Sequence, residues 1–549
     1  MPVRGSSLPS SAPTLPARLR LETMGKLCVA IQGKSAAELI ERAEAALTEV
    51  QTEARFIELR IDSLSKPASA LPKIKELLAA HREATVIATC RRKEFGGSFD
   101  GSLATEFEIL TKAAQAGCAI VDLEVESAEE APARQLEQFR EKLRAAGTAL
   151  LISFHDFTRT KNLDKAAERI EAFHPDYIKV VSTARTLSDN LAVLRLIADR
   201  SRSAEVVGIA MGEEGVISRI LGLRYGAAFT FASSAEETVK LPKEKDQKLA
   251  TAPGQLTART LRDVYRVEQL DRATRLFAVA GNPIAHSLSP LMQNTAFRRE
   301  NVNAVLVPLK ARDIDDLLTV IRELPLAGVA VTMPLKQEVL PHLANPVQAS
   351  PAPLTHRIGA CNTLRTGADG KLYGFNTDVD GVVRPLERRL RLKGARIAVL
   401  GAGGAARAAV FGLVDQGAEV FIVNRTHENA VALAKEAKVK ALKREQFADA
   451  HFDVLINSTP CGMTGTKQTL PPPFEAGQKE LNASLVFDMV YNPIETPLLK
   501  LAKERGIAIV TGMEMFVQQG ARQFEIWTGK PAPEAEMMRV VELELRRRG

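Results

Sequence analysis

The chain has 549 residues, 45% of them hydrophobic and 25% charged, with a formal net charge of +7. That length exceeds one ordinary domain, so several compact units are expected, each able to bury its own core. Composition excludes a disordered chain; no apolar run is long enough to cross a bilayer, and the basic residues are dispersed among acids, so neither a membrane anchor nor a nucleic-acid partner is expected.

A mild basic excess suits anionic substrates and phosphate-bearing cofactors. The five cysteines (Cys28, Cys90, Cys118, Cys361, Cys461) are odd in number and lack C-x-x-C spacing. Free thiols, no metal site and a reducing, cytoplasmic location are expected. Residues 1–24, rich in Pro and Ser without an apolar signal core, read as a disordered lead.

From Lys26 to Ser233 short β-branched runs alternate with amphipathic helical stretches: KLCVAI, FIELRID, TVIATC, AIVDLEVE, ALLISFHD, YIKVVST, VVGIAMG and AAFTFAS. Eight apolar strands separated by helices predict a parallel (β/α)8 barrel over 25–258, with an open doubly wound sheet as the alternative. Barrel function sits at the C-terminal strand ends, where Glu58, Arg60, Arg91 and His155 fall, and Lys179 interrupts strand six. Flanked by Ile178, Val180 and Val181, Lys179 would be desolvated, giving a neutral amine able to attack a ketone. The structural alternative is a lysine whose stem covers apolar surface while its ammonium reaches water. His155 in SFHDF is equally compatible with a hydrogen-bonded core histidine.

Residues 256–270 carry apolar side chains at helical spacing and predict a linking helix over 259–273. RLFAVAG then restarts an α/β pattern. NPIAHSLSP leads into a helix with Pro290 in its first turn and Ser289 as its cap. Ser287 and Ser289 either cap that helix or bind a carboxylate at its start. AGVAVTMPLKQEV carries Thr332 and Lys336, GACNTL carries Asn362, and GFNTDVDG carries Asp378. Taken singly, Lys336 would be a surface lysine and Asp378 a helix cap. The run ARIAVLGAGGAARAAVFGLVDQGAEVFIVNRT has strand, glycine turn, helix and strand in Rossmann order, with Gly401, Ala402, Gly403, Gly404, Ala405 and Ala406 opening the helix. The second strand ends in Asn424, Arg425 and Thr426, where an NAD site would place an acid, so NADP is favoured.

SFHDF, IKVVSTA, SRILG with Arg219, and TAPGQL with Gln255 together resemble type I 3-dehydroquinate dehydratase from about 25 to 257. The resemblance implies that Lys179 forms an imine with the C3 ketone of 3-dehydroquinate and that His155 moves the C2 proton to the departing hydroxyl. It also implies that Glu58, Arg60, Arg91, Arg219, Thr251 and Gln255 hold the substrate. One departure is KEFGG: the family places Glu directly before Gly-Gly, whereas this chain has Phe95 there and Glu94 one place earlier. A class I aldolase is the alternative for a strand-borne lysine in a barrel.

The second half's ordered motifs resemble the shikimate dehydrogenase family. That resemblance implies NADPH-dependent reduction of 3-dehydroshikimate with Lys336 and Asp378 catalytic. It implies Ser287, Ser289, Thr332, Asn362, Tyr491 and Gln519 around the substrate, and Met489 and Gly512 near the nicotinamide. The expected architecture is a barrel followed by a two-lobed α/β dehydrogenase, with a substrate lobe at 274–380 and 512–549 and a Rossmann lobe at 381–511. Product of the first half would be substrate of the second. Quinate oxidation, or a sensor without catalysis, are the alternatives; the latter expects loss of Lys179, His155, Lys336 or Asp378, and all four are present.

Overall fold

The computed structural model describes residues 24–49, 56–234, 254–344, 353–448, 450–464, 470–471 and 481–548. It divides into two compact units between Arg272 and Ala273. Of the lead at 1–24 only Met24 is among the described residues, and it is buried against the first unit's core. Thr251 lies outside them.

The first unit carries eight parallel strands: β1 Leu27–Ile31, β2 Phe56–Arg60, β3 Thr85–Thr89, β4 Ile120–Glu124, β5 Ala149–His155, β6 Tyr177–Thr183, β7 Glu205–Met211 and β8 Thr230–Ala232. Neighbours follow chain order and β1 pairs with both β2 and β8, so the sheet curls into a nearly closed barrel. Between β7 and β8 the join is the Ala228 N–H to Val206 carbonyl bond, next to β8, rather than a ladder.

Side chains alternate along each strand, so residues of one parity share the interior. Cys28 and Ala30, Phe56, Ile87, Ile120, Ala149 and Leu151, Tyr177 and Val181, Val207, Ile209 and Met211, and Phe229 and Phe231 form that core. Continuing the same parity toward the C-terminal ends gives Glu58 and Arg60, Asp122 and Glu124, Ser153 and His155, and Lys179. The lower barrel is therefore apolar and its upper layer ionic. Ile178 and Val180, adjacent to Lys179 in sequence, have the other parity; its inward neighbours are Tyr177 and Val181.

The helix expected over 259–273 is instead a π-helical turn, Thr260–Tyr265, and a 3-10 turn, Val267–Gln269. Arg266 between them has φ 52°, a conformation that cannot continue a right-handed helix. Leu261, Tyr265 and Val267 are buried. Of the apolar residues at helical spacing, Leu261 and Val267 are buried while Leu256, Val264 and Leu270 are half-buried, so the spacing marked a partly covered face that a broken helix also presents.

The second unit holds two sheets. β9 Arg275–Gly281, β10 Ala304–Lys310, β11 Leu326–Val331, β12 Thr363–Thr366 and β13 Leu372–Phe375 are ordered β10-β9-β11-β12-β13, with β12 antiparallel to its neighbours. Helices Gly512–Thr528 and Glu534–Arg548 return to this sheet, where Phe524, Trp527, Val541 and Leu545 join Phe277, Phe297 and Leu306 in one core.

The other sheet is all parallel: β14 Arg396–Leu400, β15 Glu419–Val423, β16 Lys440–Ala441, β17 Phe452–Asn457, β18 Ala483–Asp488 and β19 Ala508–Val510, ordered β16-β15-β14-β17-β18-β19. Ile397 and Val399 enter one core while Ala398 and Leu400 enter another. Both faces are thus buried, which is why β14 reads as a continuous apolar run. The strand order reverses between β14 and β17, the switch point where doubly wound sheets open a ligand crevice.

Candidate active sites

In the barrel mouth a cavity of about 100 Å³ is lined by Glu58, Arg60, Arg91, His155, Lys179, Arg219 and Gln255, together with Gly96, Phe157, Met211 and Phe231. All the sequence-selected barrel residues among those described therefore meet at one place. Lys179 is buried, with Nζ 2.9 Å from Asp122 Oδ2, 3.6 Å from Glu58 Oε1 and 4.3 Å from the centre of the Phe231 ring. Thr89 Oγ1 donates to Glu58 Oε1 at 2.7 Å.

Asp122 and Glu124 were not selected from the sequence, yet they organise this layer. Arg91 binds both, through NH2 to Asp122 at 3.2 Å and through Nε to Glu124. Ser153 Oγ lies between the two carboxylates. His155 Nδ1 is 3.0 Å from Glu124 Oε1. Burial works to raise the Asp122 pKa, but Lys179 and Arg91 outweigh it and hold the carboxyl well below its usual range. Burial, then repulsion from Asp122, pushes Glu124 up to about 7 against the pull of Arg91. His155 is held well below its ordinary value by burial and by the neighbouring cations Arg91 and Lys179. A neutral imidazole with Nδ1–H directed at Glu124 leaves Nε2 as a base.

Arg60 is gripped by Asp62 through two bonds, at 2.9 and 2.8 Å. Arg219 differs. It is buried, its Nε has no hydrogen-bond partner, and no carboxylate lies within ion-pair range among the described residues. An unpaired buried guanidinium beside a cavity is what an incoming anion would require.

KEFGG resolves into a 3-10 turn, Lys93–Phe95, with Gly96 at φ 78°. Glu94 points to solvent and pairs with Arg92 at 3.0 Å, and Arg92 also packs over the Phe95 ring. Neither Glu94 nor Phe95 lines the cavity. Phe157 does, stacked on His155 with ring centres 5.8 Å apart. A Cβ at Gly96 would lie 2.2 Å from the Phe157 ring, so the glycine gives that ring its place.

In the second unit Lys336 Nζ donates to Asp378 Oδ2 at 2.6 Å and Asn362 Nδ2 donates to Asp378 Oδ1 at 2.9 Å. Asp378 opens the helix Asp378–Glu387, but its side chain does not cap it. Lys336 sits on a turn after β11 rather than on a helix. Thr332 directly follows that strand and Ser287 and Ser289 follow β9, its parallel neighbour, so all three come after the C-terminal ends of adjacent strands. Ser289 is the first residue of its helix rather than its cap; Ser287 Oγ instead accepts from Ser289 N–H at 3.3 Å. The hydroxyl two places earlier closes the turn because Leu288 already has helical dihedrals.

Gln519 Nε2 bonds the Phe516 carbonyl of its own helix at 2.8 Å, and Tyr491 stacks on Phe516 at 5.1 Å. A Cβ at Gly512 would lie 2.3 Å from the Val490 carbonyl oxygen and 2.6 Å from that of Met489, so only glycine permits this approach of the chain segments.

At the switch point a second cavity, about 270 Å³, is lined by Gly401, Asn424, Arg425, Thr426, Asn429, Thr459 and Cys461 among others. Gly401 has φ 116°. Gly403 and Gly404 begin the helix Gly404–Asp415, and a Cβ on either would meet open space, leaving backbone N–H groups accessible beside Ala402 and Ala405. Arg425 is exposed and has no ion-pair partner among the described residues.

Family models match both units. Residues 27–272 match the model described as type I 3-dehydroquinase, 279–364 the shikimate dehydrogenase substrate binding domain, 385–467 shikimate / quinate 5-dehydrogenase, and 512–542 the shikimate 5'-dehydrogenase C-terminal domain. A chloroplastic bifunctional 3-dehydroquinate dehydratase/shikimate dehydrogenase of Arabidopsis thaliana is 32% identical over 87% of this chain and 78% of its own. The chain belongs to that bifunctional family.

Relatives of the second half alone include shikimate dehydrogenases (NADP(+)) of Maridesulfovibrio salexigens, 37% identical over 49% of this chain and 94% of that one, and of Methanosarcina acetivorans, 40% over 49% and 98%. Within the family pattern, the barrel site of this chain lacks the carboxylate before Gly-Gly. The missed residues Asp122 and Glu124 carried a legible signal: in AIVDLEVE they share the parity of Ile120, the inward residue. Phe231 and Met211 were equally available by parity from Phe229 and Ile209. Among the described residues no helix is long and apolar enough to cross a membrane, and the five cysteines are free and buried.

Proposed function

We propose that the chain dehydrates 3-dehydroquinate to 3-dehydroshikimate in its barrel and reduces that product to shikimate with NADPH in its second unit. The observation that carries the first step is the convergence of Lys179, His155 and the unpaired Arg219 on one cavity. Arg219 takes the substrate carboxylate, while Glu58, Arg60 and Gln255 face its hydroxyls. The Lys179 ammonium passes a proton to a carboxylate beside it, its free amine attacks the C3 ketone, and that proton leaves with the water as the cationic imine forms. The imine draws electrons from C2, whose proton passes to His155 Nε2. His155 then returns that proton to the departing hydroxyl, and hydrolysis of the imine frees the enone and regenerates the amine.

For the second step the residues fit NADP. Gly403 and Gly404 leave room for a pyrophosphate at a helix start, and Arg425, without an opposing acid, suits a 2′-phosphate. When bound, NADPH supplies the hydride for C3. Met489 and Gly512 would border the nicotinamide, and Ser287, Ser289, Thr332, Asn362, Tyr491 and Gln519 the shikimate ring. Both oxygens of Asp378 accept hydrogen bonds, from Lys336 and Asn362. Asp378 therefore orients Lys336, and the Lys336 ammonium delivers the proton to the developing alkoxide.

A coupled assay with 3-dehydroquinate and NADPH tests both steps. Lys179→Ala is expected to lose dehydration alone, with reduction of added 3-dehydroshikimate intact, and Lys336→Ala to lose most reduction alone. Borohydride with 3-dehydroquinate should leave a mass adduct on Lys179; its absence would remove the imine from the mechanism.

A further inference from the structure

Every hydrogen-bonding position of the Asn362 amide is used within the protein. The Thr377 backbone N–H, which can only donate, lies 2.8 Å from Oδ1, so the amide oxygen must face it. Nδ2 then donates to Asp378 Oδ1 at 2.9 Å and to Thr377 Oγ1 at 3.1 Å. The remaining lone pair of Oδ1 meets Thr363 Oγ1 at 2.8 Å. That hydroxyl lies 3.1 Å from Gln523 Nε2, another obligate donor. It accepts from Gln523, and its single proton is directed at Asn362 Oδ1, which at 2.8 Å is closer than the alternative acceptor Thr377 Oγ1 at 3.3 Å.

We propose that Thr363 and Gln523 are positioning residues of the reductase: through Asn362 they fix the direction of Asp378, and so the pose in which Lys336 presents its proton. This rests on the reading of Lys336 and Asp378 as the proton-delivering pair. Thr363, the first residue of β12, and Gln523, on the helix Gly512–Thr528, are both buried. Gln523 Oε1 has no hydrogen-bond partner, a desolvation cost that an apolar side chain would avoid. What Gln523 contributes is its amide donor, aimed at Thr363. The chain of donors runs from Gln523 to Thr363 to Asn362 to Asp378 Oδ1, which leaves Oδ2 for Lys336.

The test compares Thr363→Val, Thr363→Ser, Gln523→Met and Lys336→Ala in the full chain. The readouts are kcat and KM for NADPH-dependent reduction of 3-dehydroshikimate from about pH 6 to about pH 10, with melting curves alongside. Valine keeps the shape of threonine and removes only the hydroxyl. It is expected to lower kcat by about tenfold to 100-fold, the scale of a small misplacement of a catalytic group. KM for NADPH stays within about twofold, since uniform binding is untouched. The alkaline limb moves to lower pH, because a loosened carboxylate supports the ammonium less. Thr363→Ser restores both readouts, and Gln523→Met shifts them in the same direction by less. A Thr363→Val enzyme with wild-type kcat and pH limb would overturn the relay. So would a loss that serine does not rescue and that tracks a lower melting point. If Lys336→Ala itself reduces substrate normally, the underlying pair is wrong; if it is inactive while Thr363→Val is silent, the relay alone fails.

Discussion

Replacing Arg219 with methionine should make the ligand-free barrel more stable and the dehydratase much weaker. The guanidinium is buried at the cavity wall without an acidic partner among the described residues, and burial alone brings it down to about 10. That drop corresponds to roughly 3 kcal/mol. A cation whose pKa falls on folding is better accommodated in the unfolded chain, and the penalty is complete at every pH below the folded value, pH 7 included. Methionine retains apolar stem volume and removes the charge, so stability rises by up to about 3 kcal/mol, less the packing lost. At about 2–4 °C per kcal/mol for a unit of this size, the melting point climbs by several degrees. Removing one partner of a buried charge pair costs about 2–5 kcal/mol of binding, so kcat/KM for dehydration falls between about 30-fold and several thousand-fold. Calorimetry without ligand, and the ultraviolet absorbance of the enone product, measure the two effects. A variant that melts below wild type while keeping kcat/KM within about fivefold would refute the assignment of Arg219 as a carboxylate site held at the expense of stability.

His155 stays neutral where an ordinary histidine is half charged, so the acid limb of kcat/KM for dehydration lies well to the acid side of an ordinary histidine; a limb centred at about 6.5, the unperturbed value, contradicts the reading. The unfolded histidine takes up its proton first, so this group's contribution to stability is lost as pH falls below about 6.5, visible in urea titrations. Arg425→Asp should lower the preference for NADPH over NADH by at least about tenfold, as one charge pair turns repulsive; an unchanged ratio of kcat/KM values assigns the 2′-phosphate elsewhere. Gly401→Ala places a Cβ 2.6 Å from Ser458 Oγ at φ 116°. It should cost about 1–3 kcal/mol and weaken NADPH binding, while dehydration continues at the wild-type rate.

Much of this was legible from sequence because the signals are local. Eight apolar runs at regular intervals gave eight strands, seven of them within a residue or two and the last starting at Thr230 rather than Ala227, and the glycine turn between β14 and its helix needed only adjacent residues to be recognised. Lys179 and His155 were found because the first interrupts an apolar strand and the second ends one. Asp122 and Glu124 were passed over for the opposite reason: a strand hydrophobic on its outer face hides polar residues of inward parity unless that parity is tracked. The linking segment misled because periodicity reports which side chains are buried, not whether Arg266 lets the helix continue.

The chain of amino acids by itself determined the element types and the two folds, since these follow from periodicity and short contiguous patterns, and its motifs marked candidates for the reactive groups through the family resemblance. Tertiary structure alone decided the partners: Asp122 with Lys179, Glu124 with His155, Gln523 with Thr363. It also turned Glu94 outward onto Arg92 and left Arg219 unpaired. Such pairings join residues tens to more than a hundred positions apart. Strand register and helix docking set them, and the free energies that fix register are spread over whole cores rather than written in any one segment.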